Sequence, residues 1–141
     1  MMLKNISFDG FIVESSSYKE VKISEKGFFN VALTEMSVSV DEKEDKKEDE
    51  NSRIMISFES NITGYEGDRR EEPDEESIAF TAKLKMETWF IDKNENPLTA
   101  DEVIHDVWFF ENFNYVAVKI ACDSLFKYTA MGEIPVPWTG R

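Results

Sequence analysis

Apolar and polar positions alternate with a period of two as far as Ile91 and then change to helical spacing. Asn5 to Val13 (N-I-S-F-D-G-F-I-V) reads as a short strand, with Gly10 as a bulge or a point of close approach. Ser15 to Lys19 is polar and loop-like. Phe28 to Val40 reads as a second strand whose phase switches midway. Phe29, Val31 and Leu33 share one parity and Met36, Val38 and Val40 the other, which predicts a bulge or a twist near Thr34 and Glu35. A third strand runs from Ile54 to Ile62, with Ile54, Ile56, Phe58 and Ile62 on one face. The fourth, Ile78 to Ile91, places Ile78, Phe80, Ala82, Leu84, Met86 and Phe90 opposite Thr81, Lys83, Lys85 and Glu87. Alternation of this kind marks an antiparallel sheet covered on one face only. Trp89 breaks the rule by lying on the polar side, and so becomes a candidate contact residue.

Beyond the turn at 92–97, Thr99-Ala-Asp-Glu102 has the spacing of a capping box, so a first helix starts near Ala100. It carries Val103, Ile104, Val107 and Trp108. A break is expected at Glu111 and Asn112, with Asn112 capping a second helix. Gly132 ends that helix, and Pro135 and Pro137 prevent its resumption. In the second helix Lys119, Asp123 and Lys127 form one narrow polar stripe. Phe113, Val116, Ala117, Val118, Ile120, Ala121, Cys122, Leu125, Phe126 and Met131 make the rest of its circumference apolar. A helix packed on one sheet needs an apolar stripe only a little over 100° wide, so this one is either the centre of a larger core or covered by a second subunit, and the short chain favours the second. Val116, Ile120, Leu125 and Phe126 are the candidate oligomer contacts. Four strands followed by two helices, with no strand–helix alternation, predict an α+β domain: an antiparallel meander with both helices on one face.

The length of 141 residues fits one domain spanning 1–141, and an apolar content of 41% supports a real core. Two charged segments, near 41–51 and 67–76, read as solvated, mobile tips. The net charge of −13 argues against nucleic-acid partners and against anionic membrane surfaces. It favours solubility and basic partners. With no signal-peptide pattern and no apolar run near 18 residues, the expected location is the cytoplasm.

Candidate chemistry is sparse. The single cysteine, Cys122, excludes a disulfide framework within the chain and reads as a buried thiol. His105, the only histidine, stands beside Asp106 without a nucleophile or a second metal ligand at a useful spacing, so a structural or surface role is the better reading. The carboxylates of the 41–51 segment lack the glycine and the fixed spacing of a calcium loop. No phosphate-cradling loop or zinc spacing occurs, so neither an enzyme nor a cofactor or metal site is expected. The unusual content is aromatic: Trp89, Trp108, Phe109, Phe110, Phe113 and Trp138. Phe113 reads as core. Trp108, Phe109 and Phe110 are consecutive and span most of a helix circumference, so at least one must point away from its own sheet.

The opening strand K-N-I-S-F-D-G-F, the long strands joined by a charged tip, the W-F-I end of the fourth strand and the close G-E-I-P-V-P-W resemble the SecB family of export chaperones. Gly132 and Ile134-Pro135 stand where that family has its Gly-x-Phe-Pro exit from the long helix. Phe113-Asn114-Tyr115 echoes its Phe-Pro-Tyr without the proline. The likeness lies in arrangement more than in identities. It implies a four-stranded sheet with helices packed on it and assembly as a dimer of dimers through those helices. It also implies an ATP-independent holdase that binds unfolded polypeptides in aromatic grooves, with a SecA-type export motor as a downstream receiver. Relatives serve instead as dedicated chaperones of an antitoxin. The corresponding client-contact set is Trp89, Trp108, Phe109, Phe110, Val136 and Trp138. A specific inhibitor or adaptor for one folded partner, and an oligomer whose aromatics are all internal, are the alternatives.

Overall fold

The computed structural model describes residues 2–21, 27–41, 52–67 and 75–125. Four long strands, β1 (Ile6–Glu20), β2 (Gly27–Val40), β3 (Ser52–Glu66) and β4 (Ile78–Asp92), form one antiparallel sheet. Two helices follow, α1 (Ala100–His105) and α2 (Val107–Leu125), as the order of periodicities predicts. The strand order is β1-β4-β3-β2, so only β2, β3 and β4 form a meander. β1 pairs with β4 rather than with its sequence neighbour β2, and β4 lies between two partners.

Ser15 to Lys19 is strand, not loop: Ser15 to Lys19 pair with Lys85 to Thr81. The ladder is made by main-chain groups, so polar side chains do not end it, and the serines simply face solvent. Two register shifts, between Phe8 and Gly10 and between Val13 and Ser15, let this irregular sequence stay paired with β4.

The phase switch in β2 has the predicted origin. Its register with β3 shifts between Thr34 and Ser37, and Glu35 takes a left-handed φ of 51° there. The extra residue brings Phe29, Val31 and Leu33 onto the same side as Met36, Val38 and Val40, and all six pack on the core. Beneath them Ile54, Ile56, Phe58 and Ile62 of β3, with Leu84, Met86 and Phe90 of β4, are essentially closed to solvent. Gly64 is needed where it is, because the Phe80 ring fills the space that a Cβ would take.

α1 lies over β2, whereas α2 lies over β1 and β4. The entry to α1 is built by Asp92, whose buried carboxylate accepts from the Asn94 and Leu98 backbone N–H groups (2.9 and 2.7 Å) and from Asn94 Nδ2 (2.8 Å). Three donors satisfy a charge that would otherwise be expensive to bury. The capping box forms: Thr99 Oγ1 accepts from the Glu102 N–H and the Glu102 carboxylate accepts from the Thr99 N–H, both at 3.2 Å.

The break between helices falls at Asp106, not at Glu111 and Asn112. The Asp106 N–H still donates to Glu102 O (3.1 Å), while its own carbonyl accepts from Phe109 N–H (3.0 Å). One residue thus closes α1 and opens α2, a place where aspartate is favoured over a helix interior. Asn112 is an exposed residue inside α2, with no capping role.

Candidate functional site

The break at Asp106 places Ile104 at the end of α1 and Trp108 in the first turn of α2, four residues apart. They are 56% and 55% exposed, the most exposed large apolar side chains among those described on the helices. From Trp108 a chain of edge-to-face rings leads inward. Its indole meets Phe109 at 6.1 Å, and Phe109 meets Phe110 at 5.2 Å and Phe113 at 5.5 Å. Phe110 stands edge-on to Phe90 of the sheet at 5.0 Å, and Phe113 stacks on Phe8 of β1 at 5.5 Å. Such pairs fix ring orientation beyond what area burial alone supplies. Trp108 is therefore an outward-facing aromatic on a rigid ladder rooted in the core.

Consecutive residues on a helix point about 100° apart, which sorts the three aromatics. Trp108 is exposed, Phe109 is half-buried and Phe110 is fully enclosed. Phe110 is thus a core residue in this chain and not a contact surface. Trp89 does not join the group, because it lies on the opposite, uncovered face of the sheet, across from Gly10 and Met55. Its indole nitrogen is enclosed and has no hydrogen-bond partner of good geometry, although it lies near enough to Glu87 to favour that carboxylate's charge. Val136, Trp138 and Phe126 fall outside the described residues.

α2 buries Phe110, Asn114, Ala117, Val118, Ala121 and Cys122 on one stripe. Val116, among the predicted oligomer contacts, is half-buried and Ile120 is 44% exposed. Leu125 ends the helix, and its side chain is not among those described. The helix keeps uncovered apolar surface, though less than a stripe around its whole circumference.

Ile104 was not singled out from the sequence. With the break at Asp106, its spacing from Trp108 is the signal that identifies it. The surroundings are acidic: Asp101 and Glu102 lie on α1, Asp106 at the break and Glu111 on α2. His105 is exposed, with Nδ1 3.3 Å from Asp106 Oδ1. Among the described residues no three His, Cys, Asp or Glu side chains converge as metal ligands. Burial, reinforced by Asp123, pushes the Cys122 thiol up to about 12, which suits an inert core residue. On the open sheet face a hydrogen bond with Glu14 raises the Glu87 carboxyl above its ordinary range, while Lys85 lies 3.8 Å from Glu14. Within the described residues no helix is long and apolar enough to cross a membrane.

No protein-family model and no curated protein matches the chain. Among solved structures, the fold is similar to the SecB-like chaperone Rv1957 of Mycobacterium tuberculosis, determined in complex with a ChAD peptide from the HigA1 antitoxin, Rv1956. The likeness covers 95% of this chain and 89% of that one with a TM-score of 0.62, at 9% sequence identity. The four-stranded antiparallel sheet followed by two helices is therefore a SecB-like fold.

Proposed function

We propose that the protein is a SecB-like chaperone that holds polypeptides in an extended, non-native state without using nucleotide. The observation that carries this reading is the fold likeness, over nearly the whole of both chains, to a chaperone whose structure is in complex with a peptide. The exposed pair Ile104 and Trp108, backed by half-buried Phe109, supplies apolar contact surface of the kind that marks a binding site rather than a core. Side-chain contact with a rigid aromatic ladder tolerates many client sequences, and the acidic helices around it disfavour acidic ones. Val136 and Trp138 belong to the proposed contact set on sequence pattern alone. Val116 and Ile120 are assigned to contacts between copies, in a dimer of dimers. The proposed place of action is the cytoplasm.

A second, narrower reading, that the chain serves a single antitoxin-like partner, takes its support from the peptide in that complex, which comes from an antitoxin. The test is aggregation of a chemically denatured protein on dilution, with and without this chain and without nucleotide. Suppression near one oligomer per client supports general holding and prompts a search for a SecA-type receiver. No suppression, together with stoichiometric capture of one host protein, supports the dedicated reading. If the chain does neither, the chaperone reading fails.

A further inference from the structure

We infer that Asn114 and Thr88 are positioning residues for the client-contact surface, a role that rests on the chaperone reading above. Their buried hydrogen bond selects which of two apolar stripes of α2 faces the sheet. Hydrophobic burial is non-directional, and α2 offers it in two ways. The inward stripe includes Phe110, Asn114, Ala117 and Ala121, all buried. One position before each of them stand Phe109, Phe113, Val116 and Ile120, half-buried or exposed. Consecutive residues lie about 100° apart, so these four form a second apolar stripe beside the first. A turn of the helix by about 100° would exchange the two and bring the bulkier set inward. Apolar area alone gives little reason for the observed phase.

The polar group supplies one. Asn114 Oδ1 accepts from Thr88 Oγ1 at 2.7 Å, and both residues are fully enclosed. Thr88 belongs to β4, which is held by a strand on either side, so the bond ties α2 to a fixed part of the sheet. Turning the helix would carry Asn114 away and leave the buried hydroxyl only the Ile56 carbonyl, 3.5 Å off and a poor acceptor at that distance. As a source of stability the pair is weak, because Asn114 Nδ2 stays buried without a partner among the described residues. What it supplies is direction, as a single buried polar residue does when it fixes the register of packed helices. The phase decides the site. Trp108 faces out beside Ile104, with Phe109 behind it, while Phe110 faces in. In a turned helix Phe109 would enter the core and the ladder behind the indole would be lost.

The test is Thr88→Val combined with Asn114→Leu in the intact chain, which removes the bond and the unmatched donor together. Cys122 reports the phase. It is buried on the margin of the inward stripe away from the second one, about 200° around the helix from Ile120. With Ile120 turned inward, the thiol would face out. The double variant should melt near the parent yet react with Ellman's reagent about tenfold faster in the native state. It should also bind reduced, carboxymethylated α-lactalbumin about tenfold more weakly. Thr88→Ser, which keeps the hydroxyl, should match the parent in both readings. A stable double variant whose Cys122 stays closed overturns the proposal, whatever its affinity. An open thiol with unchanged affinity, or an open thiol in Thr88→Ser, does the same. If the leucine variant does not fold, Asn114→Ala takes its place; if neither folds, the pair supplies stability itself and the proposal falls. A parent chain that does not bind the probe overturns the chaperone reading, while the thiol still decides the phase.

Discussion

Truncating Phe110 to alanine separates the core from the contact surface. The ring is closed to solvent and held edge-on between Phe90 and Phe109, at 5.0 and 5.2 Å. Its removal forfeits the burial of an aromatic side chain and leaves a cavity whose floor, the β4 ladder, cannot collapse into it. Together these cost about 3–5 kcal/mol. A domain of this size has a total stability on the order of 5–15 kcal/mol, so the loss is large. With a urea slope of about 2 kcal/mol per molar, the unfolding midpoint should fall by about 1.5–2.5 M. Trp108, more than half exposed, gives up far less on truncation: at most about 1 kcal/mol, or a shift of roughly 0.5 M. Client affinity in Trp108→Ala should nonetheless drop about tenfold, as for loss of an aromatic anchor. Both variants are compared with the parent at one protein concentration, because an oligomer's apparent stability depends on it. A Phe110→Ala midpoint within 0.5 M of the parent would refute its place in the core. A Trp108→Ala midpoint as low as that of Phe110→Ala would mean that a second copy buries the indole, and the contact site would be lost.

Three further outcomes follow from buried or paired polar groups. Thr88 Oγ1 donates to Asn114 Oδ1 at 2.7 Å, both residues are fully enclosed, and Asn114 Nδ2 has no partner. Thr88→Val should therefore cost about 1–3 kcal/mol; adding Asn114→Leu should restore most of it in thermal melts, and no recovery would sink the argument. Glu87 has its folded-state pKa raised, first by the hydrogen bond with Glu14, so folding favours its protonated form. That contribution is present below the ordinary glutamate value near 4.5 and is lost as pH rises through the higher folded value. Glu87→Gln should thus gain on the parent as pH rises from 4 to 7 in urea titrations, and parallel curves would contradict the pairing. Cys122, with its thiol pushed up to about 12, should resist Ellman's reagent at pH 8 in the folded protein and react at once in denaturant; rapid reaction in the native state would disprove its burial.

Much of the sheet was legible because β3 and β4 alternate strictly enough to name their buried faces. The β2 bulge was readable for the same reason: a parity change in the sequence has to be absorbed somewhere, and Glu35 absorbs it. The continuation of β1 through Ser15, Ser16 and Ser17 was not readable. Nothing in three serines announces a strand, and it is the unpaired ladder of β4 that recruits them. The pairing of β1 with β4 instead of β2 is a property of the whole sheet that alternation along one strand does not encode.

The site was legible only in part, and the reason is a phase. Three consecutive aromatics on a helix guarantee that one faces in and one faces out, but not which. The phase is set by where α2 begins and by what holds it to the sheet. Asp106 starts the helix six residues, well over one turn, earlier than an asparagine cap at 112 would. Asn114, bound to Thr88, then anchors the inward stripe four residues after Phe110 and three before Ala117. A reading that counts asparagine among the solvent-facing residues omits the one polar member of that stripe and loses the phase with it. Once Asn114 is placed inside, Phe110 must follow it inward. Trp108, two residues earlier and about 200° around the helix, must face out beside Ile104.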